Sequence, residues 1–319
     1  MSFPIPWYKR QISGQWSLLV IFAALAICGL AGWIFLRTEV LLICVKNNNP
    51  LGIRLALLGG ASANSQGSLG ETPLRVAIAS GNQPALEMLI EWGADINQPD
   101  EAGATALLLA TSRSDSETIR YLLQHGADPN RGYSRNINFG NTPLHVAAEA
   151  DNLPVVTLLV EHGVDVNSRN GDNATALMPA VMLGHLEVVS YLLDHGADLN
   201  VVDKHGVTPL RWALVAASAN RARRSDPFSM IELLIARGAH INAKDADGNS
   251  PLMAYLEACD IAPTPDTHKI VAFMVTHGAD PAIRNAAGKT VFDIIDDQVT
   301  RNGEEALWRQ VAALIRRTR

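Results

Sequence analysis

Cysteine is scarce in this chain of 319 residues. Cys28, Cys44 and Cys259 are too few and too scattered to form a disulfide framework or a zinc site. They leave the redox compartment open: two thiols outside the apolar N-terminal stretch fit a reducing space slightly better without excluding an oxidising one. A basic excess is also missing. The formal net charge of -6 argues against a nucleic-acid binder, whose affinity ordinarily rests on surplus lysine and arginine. There is no long polar or proline-rich tract of the kind that predicts disorder. The motifs of catalysis are absent as well. Without a glycine-rich phosphate loop, a nucleophile elbow or a metal-spaced cluster, an enzymatic reading has no residues to rest on, and neither cofactor nor metal is expected. The stretch DADGNS, from Asp245, begins like a calcium loop but lacks the third acidic position and the distal glutamate.

Charge is missing altogether between Gln11 and Leu36. Within that span SLLVIFAALAICGLAGWIFL, from Ser17 to Leu36, is long enough as a helix to cross a hydrocarbon core of about 30 Å. Trp16 and Trp33 stand near its ends, and Lys9, Arg10 and Arg37 bracket it. A transmembrane helix over residues 16–37, after a short tail of residues 1–15, is therefore expected. Two other readings compete. A cleaved signal peptide ending at Gly29-Leu30-Ala31 conflicts with hydrophobicity that continues through Leu36. A lipoprotein signal ending at Cys28 conflicts with Ile27, where a small residue is required. Flanking positive charge is nearly balanced. Assigning the later charges, Lys46 and Arg54, to a folded unit favours an inside amino terminus, which places the remaining chain outside the cytoplasm of a bacterial inner membrane, as a single-pass protein. Ala24, Cys28 and Gly32 form a small-residue stripe suited to a homodimer through this helix.

The rest of the chain repeats itself. Segments ending in GAD or a close variant recur: GGASAN at 59–64, WGADIN at 92–97, HGADPN at 125–130, HGVDVN at 162–167, HGADLN at 195–200, RGAHIN at 237–242 and HGADPA at 277–282. A second landmark, of the type TPLHVA, starts at Thr72, Thr105, Thr142, Thr175, Thr208, Ser250 and around Thr290, in steps of 33, 37, 33, 33, 42 and 40 residues. A base period of 33 with insertions is the signature of a stacked repeat. Each unit makes physical sense. Thr142 caps a helix, Pro143 takes its first position, Leu144, Ala147 and Ala148 give a small-residue face, and a second helix carries Val155, Val156, Leu158 and Leu159. Gly163 supplies the left-handed end of that helix. One such unit cannot bury its apolar face alone, so neighbours must stack.

The stretch GNTPLHVAAEADNLPVVTLLVEHGVDVN, from Gly140 to Asn167, resembles the ankyrin-repeat family, and the resemblance extends from about residue 39 to residue 319. It implies an all-α solenoid of helix–loop–helix units with hairpin fingers and a concave binding face, preceded by the one membrane helix. The implied organisation is an N-terminal capping unit at 39–66, six repeats over 67–285 with insertions near 131–137, 218–228 and 259–269, and a C-terminal capping unit at 286–319. Asn173 replaces the finger glycine, a substitution that left-handed geometry tolerates, and Pro179, inside the first turn or so of its helix, is expected to cost one hydrogen bond locally. Aligned on the same period, LLICVKNNNPLGIRLALLGGASAN (41–64) is a first unit, so the membrane helix runs into it without a linker and the Arg37-Thr38-Glu39 step is expected to be an N-cap.

Function in such a fold sits on variable positions. Family register assigns finger-tip and concave-face places to Leu69, Glu71, Arg113, Phe139, Asn141, Glu149, Met182, Leu183, Lys204, His205, Trp212 and Asp247, with Tyr133 and Arg135 on a lengthened finger. Phe139 and Trp212 stand out because large aromatics dominate interface hot spots; burial between repeats is the competing reading of both. Arg221, Arg223 and Arg224 lie in the insertion at 218–228, where a solvated loop competes with a docking site for an acidic partner or headgroup. The histidines recur in register and need no catalytic or metal role. The resulting expectation is a membrane-tethered protein that binds a protein partner, with an immunity-type inhibitor of a toxin or enzyme at the membrane as the alternative.

Overall fold

The structure, a computed structural model, describes residues 30–317 apart from 69, 102, 134–139, 219–226, 260–264 and 303–304. The described residues form sixteen helices in eight consecutive pairs. The first three pairs are α1 (Leu30–Lys46) with α2 (Pro50–Leu58), α3 (Pro73–Ala79) with α4 (Gln83–Glu91), and α5 (Ala106–Ser112) with α6 (Ser116–Gln124). Then follow α7 (Pro143–Glu149) with α8 (Leu153–Glu161), α9 (Leu177–Leu183) with α10 (Leu186–Asp194), and α11 (Pro209–Ser218) with α12 (Pro227–Ala236). The last two pairs are α13 (Pro251–Ala258) with α14 (Pro265–Thr276), and α15 (Val291–Asn302) with α16 (Glu305–Arg317). They divide into two compact units: the described residues up to Ala110 with Glu117–Asp128, and Thr111–Ser116 with Pro129 onward.

Inside each unit the pairs build two layers, because each helix buries one side against its counterpart in the next repeat. In the first unit α1 packs on α3, and α2 on α4. In the second, α7, α9, α11, α13 and α15 contact one another in sequence, and α8, α10 and α12 form the second layer. The small-residue face sets the spacing of the first layer: Ala147, Ala148, Ala180, Ala213 and Ala216 are buried. Aliphatic residues such as Val155, Val156, Leu159, Val188, Val189 and Leu192 fill the space between a pair and its neighbour.

Local chemistry explains the helix ends. The Thr72 hydroxyl accepts a bond from the Arg75 N–H at 3.3 Å, Thr105 does the same for Leu108 at 3.3 Å, and Ser250 for Met253 at 3.4 Å, with proline at the first helical position of α3, α7, α11 and α13. Gly163, at φ 80°, closes α8 in the left-handed region, and Asn173 replaces a glycine there at φ 59°.

Two expectations need correction, the N-cap step and the unit boundary at residue 39. Arg37, Thr38 and Glu39 do not cap a helix: α1 runs unbroken from Leu30 through Lys46. The step instead ties α1 to the loop that follows α2, since the Glu39 carboxylate accepts the Ser68 N–H at 3.0 Å. The boundary at residue 39 is therefore inside a helix. Pro179 costs one bond, as expected: in the other repeats the residue four after the cap donates to the cap carbonyl, as Val146 does to Thr142 at 3.2 Å, whereas here Met178 donates to Thr175 instead, at 3.1 Å. The helix starts one residue later than its counterparts, at Leu177, so Pro179 lies in its first turn. A further cost appears at Thr175, whose hydroxyl caps nothing and is buried without a partner. The insertion near 259–269 lies partly in a helix, because α14 begins at Pro265. Among the described residues no helix is long and apolar enough to cross a membrane; the expected membrane segment, 16–37, and its small-residue stripe lie almost wholly outside them.

A candidate binding groove across three repeats

A second feature of each repeat is the finger, the loop that precedes the first helix of a pair. In five repeats it opens on an Asp or Asn five residues before the capping Thr or Ser; before Thr72 that place holds Gly67 and before Thr142 Ile137. The Asp or Asn side chain locks the loop. Oδ1 of Asn170 accepts the N–H groups of Asp172 and Ala174 at 2.9 and 3.0 Å, and Oδ1 of Asp203 accepts those of His205 and Val207 at 2.8 and 3.0 Å. Asp100, Asp245 and Asn285 close their fingers in the same way. A locked finger is a rigid platform, and its tip residues are presented rather than disordered.

In the second unit the fingers before α9 and α11, with Asn141 just ahead of α7, stand beside the inner helices and line a groove of about 310 Å³. Its floor is apolar: Met178, Pro179 and Met182 on α9, and Trp212 on α11. Its rim is polar: Asn141 and Glu149 from the repeat of α7, Asn170 and Asp172 before α9, and Asp203, Lys204 and His205 before α11. The fingers are tied to each other across repeats. Asn170 donates from Nδ2 to Asn141 Oδ1 at 2.7 Å, and Lys204 bonds both the Asp172 carboxylate at 2.6 Å and, through its N–H, the Asp172 carbonyl at 2.9 Å. Trp212 is half-buried, its indole N–H donating to Asp203 Oδ2 at 3.2 Å while the ring lines the groove. Adjoining this groove, Arg211 pairs with the buried Asp245. Burial pushes the Glu257 carboxyl above the ordinary carboxylate range, and the Arg211 charge opposes that rise.

Six of the residues expected from register therefore meet in one place: Asn141, Glu149, Met182, Lys204, His205 and Trp212. Others do not. Leu69, Arg135 and Phe139 lie outside the described residues, as do Arg221, Arg223 and Arg224. Tyr133 is a structural part of its finger, its N–H donating to the Asn141 carbonyl at 3.1 Å and its carbonyl accepting from Gly140 at 2.7 Å. Glu71 sits in the finger of α3, in the other unit. Asp247 is an exposed finger tip whose carbonyl accepts the Ala286 N–H at 2.9 Å. Arg113 is misplaced by register: it is exposed in the turn joining α5 to α6, away from the fingers. Leu183 is also no groove residue, being the half-buried last residue of α9 beside the left-handed Gly184.

The groove also contains residues that register reading passed over. Asp172 holds the same place as Phe139, His205 and Asp247, three before the capping residue, so the repeat itself pointed to it. Met178 and Asp203 are buried, and only their surroundings reveal them.

The histidines have structural explanations. His125, His162, His195 and His277 each bond through Nδ1 to the carbonyl four residues earlier, at 2.8 Å, satisfying a helix end that has no further N–H. Among the described residues no group of three His, Cys, Asp or Glu side chains is placed to hold a metal.

Comparison with known proteins agrees with this architecture. The family model for ankyrin repeats, in three copies, matches residues 41–133, 100–170, 131–203 and 165–245. A probable E3 ubiquitin-protein ligase, XBOS33 of Oryza sativa subsp. japonica, is 52% identical over 54 residues, 16% of this chain and 10% of that protein. The E3 ubiquitin-protein ligase XBAT33 of Arabidopsis thaliana is 53% identical over 45 residues, 14% of this chain and 9% of that one. The chain thus spans about a tenth of the curated relatives it matches. Among solved structures, the ankyrin repeat domain of Bcl-3, a member of the IkappaB protein family, superposes with a TM-score of 0.59 at 29% identity, over 70% of this chain and 94% of that domain. With the period, the capped helix pairs and the locked fingers, these matches make the chain a member of the ankyrin-repeat family.

Proposed function

We propose that this chain is a membrane-tethered binding protein rather than an enzyme, and that the groove across the repeats of α7, α9 and α11 receives a segment of a partner protein. The observation that carries the reading is the groove itself. Two methionines and a half-exposed tryptophan form its floor, and charged finger residues form its rim. An apolar centre inside a polar ring is the composition of an interface hot spot. Because the fingers before α9 and α11 are locked by their own side chains, little ordering cost falls on them when a partner docks.

The tether rests on three supports. The run from Gln11 to Leu36 carries no charge. α1 continues from Leu30 into the buried Leu41, Leu42 and Val45 of the first repeat. α2 then exposes Leu51, Leu55 and Leu58 at 63%, 40% and 70%, with Arg54 on the same face. Exposed leucines flanking an arginine suit the boundary between headgroups and acyl chains, with the charge reaching to the polar side. In this reading the repeats stand outside the cytoplasm of a bacterial inner membrane. An immunity-type inhibitor would use the same groove, and the identity of the captured partner distinguishes it from a scaffold.

Photo-crosslinking tests the groove. A photoreactive residue at Met182 or Trp212 of the full chain is expected to give a discrete adduct, and one at the exposed Glu161 or Glu187 on the second-helix side none. Equal capture from both faces would refute the groove. For the tether, alkaline extraction is expected to leave the chain in the membrane fraction, and a C-terminal reporter active only outside the cytoplasm is expected to be active. Release by alkali would refute the span, and a silent reporter would refute the orientation.

A further inference from the structure

The residue that locks each finger is an acid in three described repeats and an amide in two. The acids are Asp100, Asp203 and Asp245, and the amides Asn170 and Asn285, all five places before the capping residue. The two classes are treated differently. Each amide is neutral and donates from Nδ2 to a neighbouring asparagine, Asn170 to Asn141 at 2.7 Å and Asn285 to Asn249 at 2.8 Å. Each acid spends Oδ1 on the N–H groups of its own finger and turns Oδ2 away. For Asp100 that second oxygen meets Arg75 at 3.0 Å, and for Asp245 it meets Arg211. Both arginines stand three residues after the cap of the preceding repeat. Where the lock is an amide, the same place holds His145 or Met253, and no arginine is needed.

Asp203 breaks this rule. It is an acid, yet the place that should carry its arginine holds Met178. Asp203 is only 6% exposed, and no cation among the described residues lies within ion-pair distance of it. The Trp212 indole N–H, at 3.2 Å, gives its Oδ2 one hydrogen bond but no positive charge. The space next to this carboxylate is the groove, which Met178, Asp203 and the Trp212 ring all line. Glu149 and Asp172 stand at the rim, and the one lysine there, Lys204, is already bound to Asp172.

We infer that the groove is built for a guanidinium group, and that the partner docks by inserting an arginine side chain where Arg75 and Arg211 act in the neighbouring repeats; this rests on the groove being the binding surface. The chemistry is specific. A guanidinium is planar and carries several N–H donors, so one edge bonds the free side of Asp203 Oδ2 while the plane lies on the indole face. Its stem is apolar and passes over Met178 and Met182. A lysine brings the charge without the fork or the stacking plane and is the weaker occupant.

The test uses the full chain in nanodiscs and a displayed library of random twelve-residue peptides. Enriched peptides are expected to share one arginine, and replacing it with citrulline, its uncharged isostere, is expected to weaken binding at least tenfold. Met178→Arg supplies the missing group from within; it is expected to abolish peptide binding and to raise the melting temperature. Asp203→Asn is expected to erase the preference for arginine over citrulline, with circular dichroism confirming the fold. Peptides that compete for the groove yet bind equally well with citrulline would overturn the arginine and leave the groove standing. Peptides that bind a Met182→Glu variant undiminished would overturn the groove reading itself, and the arginine with it.

Discussion

His145 and Met178 hold the same place in consecutive repeats, three residues after the cap, and show how much one position decides. His145 is 1% exposed and joins two repeats, its Nε2 donating to the Ala174 carbonyl at 3.0 Å while Nδ1 accepts from the Thr142 hydroxyl at 2.9 Å. Burial holds this imidazole below its ordinary pKa of 6.5, and the bond to Ala174 only partly offsets that. The folded chain thus binds the proton less readily than the unfolded one, so the contribution of neutral His145 is full above about pH 6.5 and declines as pH falls below it. Urea melts at pH 7.5 and 5 are expected to show a larger acid loss in the natural chain than in His145→Gln; equal losses would contradict the assignment.

Thr142 and Thr175 make a second pair at this scale. Thr142 is bonded to His145, whereas the Thr175 hydroxyl is buried with no partner. Replacing a bonded hydroxyl with methyl forfeits a cap, at about 0.5–2 kcal/mol, whereas replacing an unpartnered one relieves a desolvation cost of about 1–3 kcal/mol. Thr142→Val is therefore expected to destabilise and Thr175→Val to be neutral or stabilising, as read by chemical denaturation. Opposite signs would show that the delayed start of α9 does not strand Thr175.

At the scale of the element, the helix pairs were legible because capping Thr, first-position Pro and closing Gly recur at one period. Contacts between repeats were not. The last residue of the GAD-type segment illustrates this. Asn167 donates from Nδ2 to the Gly196 carbonyl at 2.9 Å and accepts the Asp198 N–H on Oδ1 at 2.7 Å, and Asn64, Asn97, Asn200 and Asn242 bridge to the following turn likewise. The sequence displays the asparagine but not its partner, which is about one repeat away. Ala282 takes its place in the final segment, where only the C-terminal pair follows. Asn167→Ala breaks two bonds and is expected to cost about 1–2 kcal/mol, measured by denaturant midpoint. Register failed at Arg113 and Leu183 for a related reason: a fixed offset from the cap cannot tell the end of a short helix from the turn after it. It brought Asn141, His205 and Trp212 to one groove, because their offsets fall in the finger or on the groove side of the helix.

At the scale of the whole molecule, the chain must finish its stacks against water. α16 does so in the second unit: Trp308, Val311 and Ile315 are fully buried on one side, and the other carries arginines and glutamate. Trp308→Ala removes the largest fully buried side chain and is expected to cost about 3–5 kcal/mol, lowering the melting temperature of the second unit. The N-terminal pair is different, since α2 leaves three leucines exposed and α1 continues back into an uncharged run. The proposed tether at the first repeat calls for such an asymmetry.

We propose that binding resides in the groove floored by Met178, Met182 and Trp212. Its most direct test is the dissociation constant of the crosslinked partner for three variants with matched melting curves: Met182→Glu, Trp212→Ala and, as a control on the opposite layer, Glu161→Lys. The groove variants are expected to weaken binding by tenfold or more, equivalent to about 1.4 kcal/mol or above, and the control to leave it unchanged. Undiminished affinity in both groove variants, or an equal loss in the control, would contradict the account.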